Sequence, residues 1–321
     1  MNNDRALEKE KIKNSLIKES YKKHYISLLG SITEYERFID AALDHPRRAI
    51  RVNTLKADHD MVVERLKDKG WKLESIPWYN YGYYIEREDR RDIGNIMEHA
   101  LGYYYIQEPS SMIPSLILDP KPHDIVLDMA AAPGSKTTQM AMMMDNKGLI
   151  IANELDYSRI IALKANLERM GVSNTIITNK DARHIRMEGF DKILLDAPCS
   201  GTGTLSKSLK SLEMWNPKGL TRLSRLQLSL LVHAYSLLKA GGRLVYSTCS
   251  LEVEENEKVL DRFYNMHPGA VSVKPNLFFD NPIMEYNGKI FDNRVSESVR
   301  LWPQTCRTDG FFIACITKPL S

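Results

Sequence analysis

The chain has 321 residues, of which 43% are hydrophobic and 26% charged, with a formal net charge of +3 at pH 7. That length suits one large core or two domains, and the composition is that of a globular protein rather than a disordered one. No apolar run approaches the roughly 20 residues of a membrane helix, and the N-terminal stretch lacks the apolar centre of a secretory signal, so a cytoplasmic protein is expected. So small a positive charge permits nucleic-acid binding without demonstrating it. The four cysteines are Cys199, Cys249, Cys306 and Cys315. They form no C-x-x-C pair, and no His/Cys cluster has zinc spacing, so neither a disulfide framework nor a metal is expected.

Residues 1 to about 45 read as helical, with Lys and Glu alternating with Leu, Ile and Tyr at three- and four-residue steps. Such a helix packs its apolar side and leaves a basic face that can touch phosphates. Ala49 to Val52 then alternates as a strand does. Asp58 suits the N-cap of a helix running through Lys69 and closed by Gly70. Trp71 to Ile85 reads as strands with turns. This small α+β module carries Arg47, Arg48, Arg51, Lys56 and many tyrosines. It is either a surface that grips single-stranded nucleic acid by charge and stacking or a structural cap. YYYIQEPSS leads into a helix from Met112 to Leu118, ended by Asp119-Pro120. An N-terminal domain at 1–111 and a second domain at 112–321 are expected from these boundaries.

From Asp124 the pattern changes. IVLD, GLIIANE, NTIITNKDA, DKILLDAPCSGTG and RLVYSTCS read as strands, separated by helical stretches such as YSRIIALKANLERMG and LTRLSRLQLSLLVHAYSLLKAGG, the latter broken at Gly241-Gly242. GFFIACITK is a last strand. Strands alternating with helices predict an α/β fold with a doubly wound, mainly parallel sheet. Such sheets bind ligands outside the carboxyl ends of their strands.

The loop after the first of these strands, Ala130 to Thr137, is rich in small residues and opens a helix, a combination that lets backbone approach a ligand. It is not a phosphate loop of the NTPase kind, because Ser135 separates Gly134 from Lys136 and no glycine stands five places earlier. The G-x-G-x-x-G of hydride-transferring enzymes is also absent. Glu154 closes the second strand at the distance where an acid meets ribose hydroxyls. Asp181 after the third strand can face an adenine edge, and Asp196 ends the fourth. Three acids at successive strand ends predict a nucleoside-bearing ligand.

Lys192 to Gly203, KILLDAPCSGTG, packs the most chemistry into one strand end. Asp196 and Cys199 lie three residues apart, past a buried apolar run. Cys199 and Cys249 both follow apolar runs and stand among Pro, Ser, Thr and Gly, whereas Cys315, inside FFIACI, reads as core. Met142 to Met144 read as core filling, and His184 and His233 as ordinary histidines. Arg294, Arg300 and Trp302 are either RNA-facing or packing residues.

These motifs together resemble the NOP/Sun (RsmB/NOP) family of RNA cytosine-C5 methyltransferases. The matching stretches are LDMAAAPGSKT (127–137), NELD with Arg159, Asn179 to Asp181, DKILLDAPCSGTG (191–203), YSTCSLEVEENE (246–257), RLWPQTCRTDGFFIA (300–314) and RVNTLK (51–56). The resemblance runs from about residue 45 to the end. DAPCSGTG together with STCS-x-x-x-x-EN is its most specific part.

The resemblance implies a Rossmann-like sheet that uses S-adenosyl-L-methionine, with a smaller N-terminal α+β domain that engages RNA. Ala130, Ala131, Ala132, Pro133, Gly134, Ser135 and Lys136 match the cofactor loop. Glu154 matches the ribose ligand, with Arg159 beside it, Asp181 the adenine ligand, and Asp196 a residue between cofactor and target base. Cys249 matches the nucleophile and Cys199 the cysteine that assists product release. Lys136 is expected to tether Asp196 or a neighbouring carboxylate. Ala130, Ser135 and Gln304 stand where the family often has Cys, Gly and His. The short form is similar to archaeal tRNA-modifying members, so tRNA is the first expected partner, ribosomal RNA its rival, and the protein is expected to act as a monomer.

The residue types suit that chemistry. Cytosine C5 is a poor nucleophile until a thiolate adds at C6 and makes C5 enamine-like. A carboxyl such as Asp196 can hydrogen-bond the N3/N4 edge of the base. A base must then remove the C5 proton before the thiol leaves. Two alternatives stay open. The Pro-Cys pair at 198–199 is also the arrangement of DNA cytosine-C5 methyltransferases, where that cysteine attacks. A non-catalytic RNA-binding assembly factor could use the same fold.

Overall fold

The computed structural model describes residues 2–44, 47–87, 93–277 and 279–320. Three helices open the chain: α1 (Asn2–Ser15), α2 (Glu19–Leu29) and α3 (Ile32–Ala42). Ser31 caps α3, its hydroxyl accepting from the Glu34 N–H at 3.1 Å. The α+β module follows as β1 (Ala49–Val52), α4 (His59–Asp68), β2 (Lys72–Ile76), β3 (Tyr79–Glu86), α5 (Met97–Ala100) and β4 (Tyr104–Ile106). Its strands pair antiparallel in the order β2-β3-β1-β4. Asp58 caps α4, and Gly70 takes the left-handed turn beyond it. Ile50, Val52, Val62, Leu66 and Trp71 form the module's own core.

The module's arginines divide sharply. Arg51 is wholly buried, and its guanidinium donates to Gln107 Oε1 at 2.9 Å and Thr138 Oγ1 at 2.7 Å. It fastens the module to the catalytic part, so the RNA-gripping alternative fails for this residue. Arg47 stays near the surface, ion-paired with Glu74 and 4.0 Å above the Tyr84 ring.

Helices α2 and α3 have a different partner. Tyr21, Tyr25, Phe38 and Ile39 share a core with Leu212, Trp215, Leu251 and Trp302. At its centre the buried Glu252 carboxylate accepts from Tyr25 at 2.8 Å and Trp215 Nε1 at 3.0 Å, and His24 Nε2 lies 2.9 Å away. These helices are thus built into the wall behind one of the cysteine loops.

The remainder contains α6 (Pro109–Leu118), β5 (Ile125–Asp128), α7 (Ser135–Met143), β6 (Leu149–Asn153), α8 (Tyr157–Met170), β7 (Thr175–Thr178), β8 (Phe190–Asp196), α9 (Lys210–Met214), α10 (Pro217–Leu237) and β9 (Leu238–Thr248). It ends with α11 (Glu257–Met266), β10 (Val271–Val273), β11 (Glu285–Tyr286), β12 (Lys289–Ile290), β13 (Val299–Leu301), α12 (Pro303–Cys306) and β14 (Phe311–Thr317). Helix α6 starts three residues earlier than expected, because Glu108 caps it and Pro109 fits its first turn. Strand β9 begins directly after α10, although Gly241-Gly242 reads as a break.

The main sheet runs β10-β14-β9-β8-β5-β6-β7, with β13 on β14. Strands β7, β6, β5, β8 and β9 are parallel, and β14 is antiparallel to β9. Chain order runs outward from β5 through β6 to β7, then resumes on its other side with β8 and β9. The switch point therefore lies between β5 and β8. Ile193, Leu194, Leu195, Val126 and Leu127 are fully buried, as a parallel strand covered on both faces requires. Met142 and Met144 fill the core as expected, and Cys315 is buried within it.

Two of the residues left between RNA and packing are packing residues. Arg300 is fully buried, with Nε and Nη2 on Glu257 at 2.5 and 2.7 Å, and Trp302 is 8% exposed. Arg294 is chelated by Asp292 and caps carbonyls around Tyr264.

Candidate active site

Parallel pairing of β8 with β9 puts Asp196 opposite Ser247, so the chain leaves both strands at the same level. Cys199 follows one strand and Cys249 the other, and their Sγ atoms lie 3.2 Å apart. The two loops are stitched together. Ala197 N–H donates to Ser247 O at 2.8 Å, and Gly203 N–H to Cys249 O at 2.9 Å. A Cβ on Gly203 would sit 2.2 Å from Gly310 O and 2.8 Å from Cys249 O, so only glycine permits this approach. Glu255 binds both loops from below, accepting from the Ser200 N–H at 3.0 Å, Ser250 Oγ at 2.5 Å and Gln227 Nε2 at 2.9 Å. It lies in a 3-10 turn, Val253–Glu255, that separates Cys249 from α11. Helix α11 thus starts only at Glu257.

Asp196 is held through both oxygens. Lys136 Nζ donates to Oδ2 at 2.7 Å and Ser247 Oγ to Oδ1 at 2.8 Å. Lys136 is 8% exposed and also donates to Ser111 Oγ at 2.9 Å. The expected Lys136 tether is therefore present, and a charge-assisted bond of this kind fixes the carboxylate's direction.

The hydrogen bond to Cys249 holds the Cys199 thiol well above its ordinary value, with burial and the nearby Glu255 charge adding to the effect. Cys199 is therefore held as a neutral thiol against the Cys249 sulfur.

Two cavities meet here. One, of about 490 Å³, is lined by Ala130, Glu154, Asp181, Arg183, Pro198 and Leu226 among others. The other, of about 300 Å³, is lined by Glu108, Ser111, Asp128, Lys136, Lys207 and Asp309 among others. Ala130, Ala132, Arg159, Asp196 and Cys249 line both. Glu154 reaches back to the loop, accepting from the Ala132 N–H at 3.2 Å and the Asp156 N–H at 3.0 Å, while Arg159 pairs with it at 3.3 Å. Asp181 is gripped by Arg183, whose hydrogen bonds hold the carboxyl down at about 2, against a smaller desolvation effect.

The fold thus brings together every residue expected at the site except Gly134, which lines neither cavity. Gly134 is the left-handed N-cap of α7, where a Cβ would press on Leu163. The strand ends and the volume suit a nucleoside-sized ligand in the larger cavity.

Three acids of the smaller cavity went unassigned from sequence. Burial pushes the Asp128 carboxyl up to about 7, and Thr137 Oγ1 donates to it at 2.7 Å. Burial, and then the Asp309 charge, raise Glu108. Asp309 accepts from Ser206 Oγ at 2.7 Å and pairs with Lys207. An acid ending the apolar IVLD run was a usable signal for Asp128; nothing local marked the other two.

Comparison with known proteins agrees with this geometry. Residues 115–317 match the family described as 16S rRNA methyltransferase RsmB/F, and 17–109 match the N-terminal domain of 16S rRNA methyltransferase RsmF. The chain is 42% identical over 292 residues to ribosomal RNA small subunit methyltransferase F of Shewanella piezotolerans, covering 88% of this chain and 60% of that protein. It thus spans about 60% of the length of such curated bacterial relatives. It is 41% identical over 309 residues to tRNA (cytosine(49)-C(5))-methyltransferase of Pyrococcus abyssi, covering 94% of this chain and 99% of that one. Among solved structures, a methyltransferase homolog from Pyrococcus horikoshii superposes with a TM-score of 0.80 at 38% identity, covering 88% of this chain and 90% of that one. NSun6 from the same organism, solved with SFG, gives 0.82 at 25% identity, covering 94% and 98%. With its own sheet, its cysteine pair and these matches along most of its length, the chain belongs to the RsmB/F family of methyltransferases.

Proposed function

We propose that the protein transfers a methyl group from S-adenosyl-L-methionine to C5 of a cytosine in RNA, with tRNA as the first substrate. The observation that carries this reading is the junction of the two cavities at Asp196 and Cys249, with Cys199 against Cys249. A methyl donor on one side and a base on the other would meet at that junction.

The larger cavity would hold the cofactor, with Glu154 toward ribose hydroxyls, Asp181 toward the adenine edge and Ala130 and Ala132 leaving room. When bound there, the cofactor supplies an electrophilic methyl group. The smaller cavity would hold the cytosine, extruded from any helix at a cost of a few kcal/mol. Cys249 adds to C6 as the thiolate, forming the S–C6 bond and shifting electron density to C5. Asp196, fixed by Lys136 and Ser247, meets the N3/N4 edge and stabilises the charge that develops. After C5 has been methylated, the C5 proton passes to solvent water, its electron pair restores the C5–C6 double bond as the C6–S bond breaks, and the Cys199 S–H stands ready to protonate the departing Cys249 sulfur.

The tRNA preference rests on the Pyrococcus abyssi tRNA (cytosine(49)-C(5))-methyltransferase, 41% identical to this chain over 309 residues. The family matches keep small-subunit ribosomal RNA as the second reading. Bisulfite mapping of total RNA treated with protein and cofactor tests reaction, base and site together. A new protected cytosine in tRNA supports the proposal, one in ribosomal RNA selects the second reading, and none overturns both.

A further inference from the structure

A third cavity, of about 370 Å³, opens beside the smaller of the two that Cys249 lines. Asp309 lines both, so a single side chain forms the shared wall. Its other walls come from three distant parts of the chain: the end of α3 with Arg47, the loop after β8 at Gly203 and Ser206, and the segment from α12 to Asp309. It therefore exists only because the N-terminal helices dock beside the catalytic loops.

Its acids are already engaged. Asp309 is held by Ser206 and Lys207, and Asp44 is paired with Lys9 at 2.5 Å. Arg47 is occupied by Glu74 and Tyr84. Two groups remain. Gln304 Oε1 is buried without a hydrogen-bond partner. Arg307 is exposed, and its guanidinium has no ion pair among the described residues. A buried acceptor left unmade costs about 1–3 kcal/mol, so such an atom in a native fold calls for a missing partner. A carboxamide is suited to the donor–acceptor edge of a nucleobase, and a free guanidinium to a phosphate.

We infer that this cavity takes the base of one nucleotide adjacent to the target cytosine, with Gln304 meeting its edge and Arg307 the phosphate joining the two. This rests on reading the Cys249 cavity as the seat of the target base. It makes the enzyme selective for the neighbour of the cytosine as well as for the cytosine itself, and it gives the N-terminal helices a part in that choice.

The test uses the full-length protein and an RNA stem-loop containing the mapped cytosine. Versions with an abasic site on either side of it are compared. Loss of the base on one side raises KM about tenfold with kcat within twofold, while loss on the other side does little, as base contacts of this kind are worth about 1–3 kcal/mol. Gln304→Ala raises KM on the intact RNA similarly and abolishes most of the abasic penalty. Arg307→Ala weakens all the RNAs alike and lowers the salt slope of binding by about 1. Unchanged melting temperatures of both variants separate this from misfolding. Equal tolerance of both abasic RNAs, or a penalty that persists in Gln304→Ala, overturns the inference. If no RNA is methylated at all, the same RNAs with 4-thiouridine beside a loop cytosine are photo-crosslinked: attachment within 303–309 keeps the cavity assignment although the proposed reaction has failed. Attachment elsewhere rejects the assignment.

Discussion

Cys199 Sγ lies 3.2 Å from Cys249 Sγ, and the two residues belong to loops that leave adjacent parallel strands at the same level. The Cys199 thiol is held neutral there, by its contact with Cys249 and by burial. A neutral thiol in contact with a second sulfur can return a proton to it.

Attack by Cys249 and proton return by Cys199, as proposed, predict opposite outcomes for two alanine variants on a 5-fluorocytidine RNA. Cys249→Ala forms no covalent adduct and transfers methyl groups at background rate. Cys199→Ala still forms the adduct, visible as a slower band on a denaturing gel, but turns over at least about tenfold more slowly because elimination is impaired. An adduct in Cys249→Ala and none in Cys199→Ala would reverse the assignment.

The bond between Lys136 and Asp196 predicts a positioning effect. Lys136→Met frees one carboxylate oxygen while Ser247 keeps the other. We expect kcat to fall roughly 10²-fold or more, the scale of losing one preorganised electrostatic contact, with cofactor affinity changed far less. Single-turnover rates and cofactor binding by calorimetry separate the two. A parallel loss of cofactor affinity would make Lys136 chiefly a cofactor ligand.

Asp128 predicts a pH dependence of stability. Burial raises its folded pKa to about 7, from an ordinary value of 3.8. Between those values the folded state binds the proton and the unfolded state does not. Its contribution is therefore greatest below about pH 4 and declines as pH rises to about 7. Asp128→Asn stays neutral and retains an acceptor for Thr137. Its urea midpoint should change less than wild type between pH 5 and pH 7.5, and an identical change would place the Asp128 proton elsewhere.

The Arg300–Glu257 pair predicts a stability loss. Both side chains are fully buried, and Arg300 also donates to Leu251 O at 2.8 Å, beside the Cys249 loop. Arg300→Met leaves Glu257 charged and unpaired, at a cost of about 3–5 kcal/mol. Denaturant unfolding measures it directly. A loss under about 1 kcal/mol would mean that Glu257 finds another partner.

The sheet was legible because it is written in local patterns. Apolar runs such as KILLD and GLIIAN, each followed by an acid and a helix, specify strands and their carboxyl ends without long-range information. The thiols and their acids sit in motifs at those ends, so their grouping followed from sheet topology alone. Arg51 and Arg300 misled in part because charge is read as surface. Both are buried by partners 56 and 43 residues away, which no window contains.

By itself, the sequence determined the element types, the parallel sheet, the identity of the acids and cysteines at the strand ends, and the family. Hydrophobic periodicity and short motifs carry those, and each acts within a few neighbouring residues. Only the tertiary structure decided which carboxylate Lys136 holds, the contact between the two thiols, the raised carboxyl of Asp128, and the cavity shared by α3 and the 303–309 segment. These depend on distances and desolvation between segments far apart in the chain, and burial acquires its energetic meaning only after the chain has closed around the group.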